Sequence, residues 1–208
     1  GTGWAIVLGV AALALMRIIS PRMDELTASE SSAFGRVDSW YAGLHMFLSN
    51  PLFGVGTNNF TEHNYLTAHN SFVLVLAENG IVGYTLWLAF VGYGLWMALT
   101  VVRFRPAAEW LESVPGAVAQ WKQVRAMGMS MLLAQCGFLV AAFFLSRSYV
   151  IILYMMEAIV VSYYVHARQQ VPDLPRFKLS RDLLRWPLLA LASVATLFIV
   201  VRLLLLSA

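Results

Sequence analysis

The chain has 208 residues, of which 60% are Ala, Val, Ile, Leu, Met, Phe, Trp, Tyr or Cys and 12% are charged, and its mean hydropathy is +0.70. Soluble domains carry about 25% charged residues, so 14 Lys and Arg with 11 Asp and Glu cannot cover a water-soluble surface of this size, and the same apolar content excludes disorder. The single cysteine, Cys136, excludes a disulfide framework and a cysteine-based zinc site.

Residue 1 is Gly, and residues 4–16 already lie in an apolar run with no signal-peptide pattern. The chain therefore reads as the C-terminal part of a longer protein, or as an excised piece of one. About 20 apolar residues rising 1.5 Å each cross a hydrocarbon core of roughly 30 Å. Five stretches qualify, so the fold class expected is an all-α membrane protein with about five transmembrane helices. The first lies within 1–19 and is short. The second covers 70–102, too long for one straight span, with Glu78, Asn79, Gly80 and Gly83 marking a kink. The third and fourth, about 127–145 and 149–165, form a hairpin that turns at Ser146-Arg147-Ser148. The fifth lies within 187–208.

Nine of the fourteen Lys and Arg fall in the loops 103–126 and 166–186, which share one side of a five-span chain. The positive-inside rule makes that side cytoplasmic. The net charge of +3 is then an orientation signal and gives no reason to expect nucleic acid as a partner. The remaining long loop, 20–69, faces outward with a net charge of −3. It is a partly helical periplasmic loop by its pattern. Phe34, Val37, Trp40, Tyr41, Leu44, Phe47 and Leu48 recur at helical spacing over 33–49. The pattern predicts an amphipathic helix at the membrane interface, with Trp and Tyr at headgroup level. Asn50-Pro51 ends it. Gly54 and Gly56 bend the next segment, and Asn70 or Ser71 is a natural N-cap for the second span.

The string GRVDSWYAGLHMFLSNPLFGVGTNNF, followed by AHNSFVLVLAENGIVGYTLWL, resembles the region shared by O-antigen ligases and O-antigen polymerases. The pattern is an Arg, a Trp, an Asn-Pro-Leu-x-Gly-x-Gly turn, Ala-His-Asn-Ser and Glu-x-Gly-x-x-Gly. It covers residues 34–90 in detail and the Ser146–Tyr149 hairpin loosely. The resemblance implies the C-terminal half of a multi-pass enzyme of the bacterial inner membrane, active on its periplasmic face. The donor implied is a glycan on undecaprenyl pyrophosphate. The acceptor implied is lipid A-core, a second lipid-linked glycan, or a protein hydroxyl. The resemblance further implies that His69 activates the acceptor, that loop arginines bind pyrophosphate, and that no metal or cofactor is needed.

The residues fit that chemistry on their own terms. A neutral imidazole titrates in the range of a general base. Arginine's planar fork suits phosphate oxygens, and a helix N-terminus offers N–H donors and a positive dipole. The catalytic candidates are His69 and Arg36; the substrate-binding candidates are Arg147, Asn70, Ser71 and Glu78. Each also has a plainer reading. His69 is a packed or capping histidine, Arg36 a solvated charge at a helix start opposing its dipole, and Arg147 a headgroup anchor. His45 is a packed histidine, and Glu78 a group that orders the kink. Glu157 sits inside the fourth span without a partner that sequence can name. The spans hold no phosphate-loop or metal-spacing pattern. Two other functions compete: a transporter or flippase subunit gated by the outer loop, and a non-catalytic scaffold for envelope assembly.

Overall fold

The computed structural model describes residues 26–206, and among these it is helical throughout, without strands. The helices are α1 (Leu26–Ser49), α2 (Phe60–His63), α3 (Ser71–Arg103), α4 (Ala108–Ser113), α5 (Ala117–Phe144), α6 (Ile151–Gln170) and α7 (Arg185–Leu206), with a 3₁₀ turn at Leu179–Arg181 before α7. The first expected span lies outside the described residues. Three of the described helices, α3, α5 and α7, are long and apolar enough to cross a membrane. The expected fourth span forms α6, but Glu157, His166 and Arg168 lower its apolarity and it is not among those three.

α3 is the central helix: 39% of its most apolar window is buried, against 17% for α5 and 22% for α7. α1, α5, α6 and α7 all pack on it. α7 runs antiparallel to it, as Tyr84 meets Ser193 through a 2.6 Å hydroxyl contact and Gly92 accommodates the Trp186 ring. The outward faces of α5, α6 and α7 expose Leu133, Val140, Ile152, Met155, Leu188 and Ile199, as lipid-facing surfaces do.

α1 starts earlier than the sequence pattern suggests and ends where Asn50-Pro51 stops it. Gly43 lets it close on α3, because a Cβ there would meet Val73 at 2.5 Å and Phe60 at 3.0 Å. Trp40 is 5% exposed and sits edge-on to Phe143 at 5.4 Å. Its ring is thus spent on the protein interior instead of a headgroup layer, which corrects the interfacial expectation for this residue. Tyr41, on the other face, stays 48% exposed.

The kink in α3 is a full exchange of hydrogen bonds. A regular helix would bond Ile81 N–H to the Ala77 carbonyl and Val82 N–H to that of Glu78. Here Val55 and Gly56 N–H donate to those two carbonyls at 3.0 and 2.9 Å. The Ile81 and Val82 N–H groups donate to the Pro51 and Leu52 carbonyls at 2.8 and 3.3 Å. The segment 51–56 is inserted between two turns of the helix. Gly80 adopts φ 61° and ψ −166°, and a Cβ on it would lie 2.4 Å from the Leu52 carbonyl. Gly54, at φ 70°, would clash with the Glu78 backbone at 2.4 Å. The break divides α3 into a stub, residues 71–79, and a straight run over 81–103 of roughly 35 Å, which matches a bilayer.

Gly80→Ala therefore has no low-energy conformation: the left-handed backbone and the backbone clash together cost about 3 kcal/mol or more. The expected result is a large loss of folded, monodisperse protein and a lower melting temperature in detergent. Gly137→Ala, where nothing lies within 4 Å of the new Cβ, is the control and should match or exceed the parent's melting temperature.

Candidate active site at the mouth of α3

Three segments meet at the N-terminus of α3. The first is α1, where Ser39 lies beside the loop: Asn64 Nδ2 donates to Ser39 Oγ at 3.2 Å and to the Leu66 carbonyl at 2.7 Å. The second is the irregular approach 66–70. The third is the 145–150 connection between α5 and α6. Thr67 Oγ1 and Ser146 Oγ share a hydrogen bond of 3.0 Å. Ser71 Oγ donates to the Leu145 carbonyl at 2.7 Å and accepts from Arg147 N–H at 2.8 Å, while Ser148 Oγ donates to the Ser71 carbonyl at 3.1 Å.

Asn70 is the N-cap, as expected. Its Oδ1 accepts from Phe72 and Val73 N–H at 2.9 and 3.1 Å, and Leu74 N–H donates to its carbonyl at 2.9 Å. This corrects one expectation. The free N–H donors foreseen at this helix end are largely taken by Asn70, so the stub offers an anion its dipole more than its amides. Asn70 and Ser71 are both fully buried. They build the mouth rather than line its surface.

His69 holds φ 49°, a left-handed backbone that costs a non-glycine residue roughly 1–2 kcal/mol. It is clamped between Ala68 and Asn70, both 0% exposed, while its own side chain is partly exposed. Among the described residues nothing hydrogen-bonds the imidazole. Arg36 lies one turn before Trp40 and two before Gly43 on α1, and it is exposed. It is not at a helix start, since α1 begins ten residues earlier, so the expected conflict with the dipole does not arise. Arg147 is exposed on the turn that Ser71 ties down. The only ion pair among the described residues is Arg185–Asp182, at the far end of α3. Arg36 and Arg147 thus lack a carboxylate partner there. Two further donors at the mouth, Trp40 Nε1 and Asn70 Nδ2, are buried without an acceptor among the described residues.

Glu78 lies at the base of the stub, 2% exposed, and its Oε1 accepts from Phe60 N–H at 3.2 Å. It anchors the loop that docks at the kink. Its carboxylate also acts on Tyr149, whose phenol is held well above its usual range, first by burial and then by this neighbouring charge. Sequence reasoning missed Asn79, which takes a 2.8 Å hydrogen bond from Thr57 and gives one of 2.6 Å to Tyr149. The Asn-Gly pair at the kink was its only trace. It also placed His45 in a packed setting; His45 is exposed, edge-on to Tyr41 at 4.3 Å.

Residues 2–88 match the O-antigen ligase family. This stretch, less than half of the chain, is similar to that family. No curated protein and no solved structure matches the chain. The ligase segment includes Arg36, His69, Asn70, Ser71, Glu78 and the whole kink exchange. Arg147 and the α5–α6 connection lie beyond it. The chain is thus an all-α membrane protein whose N-terminal 2–88 segment is similar to O-antigen ligases.

The N-cap of the ligase segment is open to a direct check. Asn70→Ala removes two hydrogen bonds at a buried helix end and should lower stability by about 1–2 kcal/mol. Asn70→Ser, which keeps a capping oxygen, should recover most of it. Thermal unfolding of the purified chain in detergent reads both.

Proposed function

We propose that this protein transfers a glycan from undecaprenyl pyrophosphate to an acceptor hydroxyl at the periplasmic face of a bacterial inner membrane. The observation that supports the reading is the strained, clamped backbone of His69 next to the Asn70 cap, with Ser71 tying down the turn that bears Arg147. Strained non-glycine backbone persists only where its surroundings over-determine it, and it gathers at functional sites.

In the proposed reaction His69 accepts the proton of the acceptor hydroxyl. The hydroxyl oxygen attacks the anomeric carbon and forms the new glycosidic bond. The bond from that carbon to the pyrophosphate oxygen breaks, its electron pair leaves with undecaprenyl pyrophosphate, and the anomeric centre inverts. Arg36 and Arg147 hold the pyrophosphate and take up the developing charge. The dipole of the α3 stub adds to their field. Asn70, Ser71 and Glu78 contribute by position: they fix the stub, the turn bearing Arg147 and the docked loop. No metal enters these steps. The acceptor is lipid A-core in a ligase and a second lipid-linked glycan in a polymerase. In this topology the basic loops 103–126 and 166–186 are cytoplasmic, and α6 crosses the bilayer with α5 as a hairpin.

The test is complementation in a bacterium lacking its own copy, using the full-length gene with His69→Ala or Arg36→Ala. Both variants should reach parental membrane levels and lose glycan attachment or extension by at least about a hundredfold, the scale of one general base or one charge stabiliser. Absent attachment identifies a ligase; attachment of single units identifies a polymerase. Parental surface polysaccharide from both variants would overturn the reading and leave transport or scaffolding in its place.

A further inference from the structure

The end of α3 farthest from His69 carries a second cluster of cations that the glycosyl-transfer reading does not use. Arg103 ends α3, Arg105 lies in the connection after it, and Arg125 comes from α5. All three line one cavity of about 320 Å³ together with Val102 and Phe104. Their convergence is built by packing. Gly128 admits Val101 of α3 so closely that a Cβ would lie 2.8 Å from it, and Arg125 is one turn nearer the helix end than Gly128. Phe104 meets Trp121 of α5 edge-on at 5.9 Å and closes the other side.

Among the described residues no carboxylate pairs with any of the three. The C-terminal dipole of α3 offsets part of the Arg103 charge, and nothing comparable faces Arg105 or Arg125. Like charges held around a small cavity repel one another unless an anion joins them. The positive-inside rule accounts for arginines on this side, but not for the convergence of Arg125 from α5 with the Arg103–Arg105 end of α3 around one space shared with Val102 and Phe104. The depth also fits a headgroup. An aromatic belt of Tyr93, Trp96, Phe177 and Trp186 lies just before it, with Arg185 stacked over Trp96 at 4.2 Å. Arg103 is seven residues past Trp96, roughly 10 Å farther along the helix.

We propose that this arginine cavity binds the phosphate of an anionic phospholipid, with Val102 and Phe104 against the start of its acyl chains. The guanidiniums supply forked donors to phosphate oxygens, and the apolar wall favours a lipid over a soluble anion. The site is independent of the reaction at the other end of α3.

The experiment uses the full 208-residue chain in a neutral detergent. Phosphatidylglycerol, phosphatidylcholine and inorganic phosphate are each added, and binding is read by native mass spectrometry and thermal shift. Phosphatidylglycerol should be retained and should raise the melting temperature; phosphatidylcholine and inorganic phosphate should do neither. The triple variant R103Q/R105Q/R125Q should bind phosphatidylglycerol at least about tenfold more weakly, and R105Q and R125Q singly should fall between. The single variants keep the test decisive if the triple variant fails to fold. The charge-matched R176Q/K178Q/R181Q should bind like the parent. Equal weakening in that control would reduce the effect to net charge and overturn the proposal. So would undiminished binding by R105Q and R125Q. A thermal shift from inorganic phosphate equal to that from lipid would overturn the lipid assignment in favour of a soluble anion.

Discussion

Four backbone hydrogen bonds between residues 51–56 and 77–82 hold the loop-bearing end of this protein together. The helix gives up two of its own bonds and the loop supplies both replacements, so no N–H or carbonyl in the exchange is left bare. In net bonding the swap is close to neutral, since each bond is worth only about 0.5–1.5 kcal/mol. Undoing half of it is not neutral. Either partner alone would strand buried carbonyls or amides at about 1–3 kcal/mol each. Loop and kink therefore exist only together, and the two glycines at the crossing, Gly54 and Gly80, are the residues that let two backbones come this close.

The exchange has consequences upward and downward along α3. Downward, it leaves a straight run of bilayer length with Tyr84, Trp87 and Val91 in the core. Upward, it stands the stub on end, with Val73, Leu76 and Ala77 enclosed by α1, the loop and the α5–α6 connection. The N-terminus of the stub is then a fixed point in space. Asn70 caps it, Ser71 ties it to the turn that carries Arg147, and His69 has no freedom left but its side chain. An imidazole on a strained but clamped backbone is pre-positioned, as the role proposed for His69 requires.

The membrane half is organised by a different device. Glu157 of α6 is 1% exposed, and Gln135 of α5 donates to both its oxygens at 3.0 and 3.1 Å. Gly94 of α3 makes the room: a Cβ there would lie 1.7 Å from the carboxylate. One buried polar pair thus sets the rotation of three helices about one another. Small residues that permit close approach and polar side chains that bridge helices are the usual means of association where lipid removes the hydrophobic incentive.

The sequence by itself determined the class of the fold, the helical hairpin at Ser146–Ser148, the N-cap at Asn70, the kink region around Gly80 and the residue types of the candidate site. Those properties are local or periodic: hydrophobic runs, capping chemistry and glycine conformational freedom act within a few residues. Only the tertiary structure decided where the long-range partners fall. That the Asn-Pro-Leu-x-Gly-x-Gly turn fills the gap in α3 cannot be read from either segment, because the bonds join residues 22 to 30 positions apart. The burial of Trp40 against Phe143, the pairing of Glu157 with Gln135 and the meeting of Arg103, Arg105 and Arg125 are of the same kind. Periodicity names the face a helix will bury. Which neighbour that face meets depends on the packing of all the helices at once.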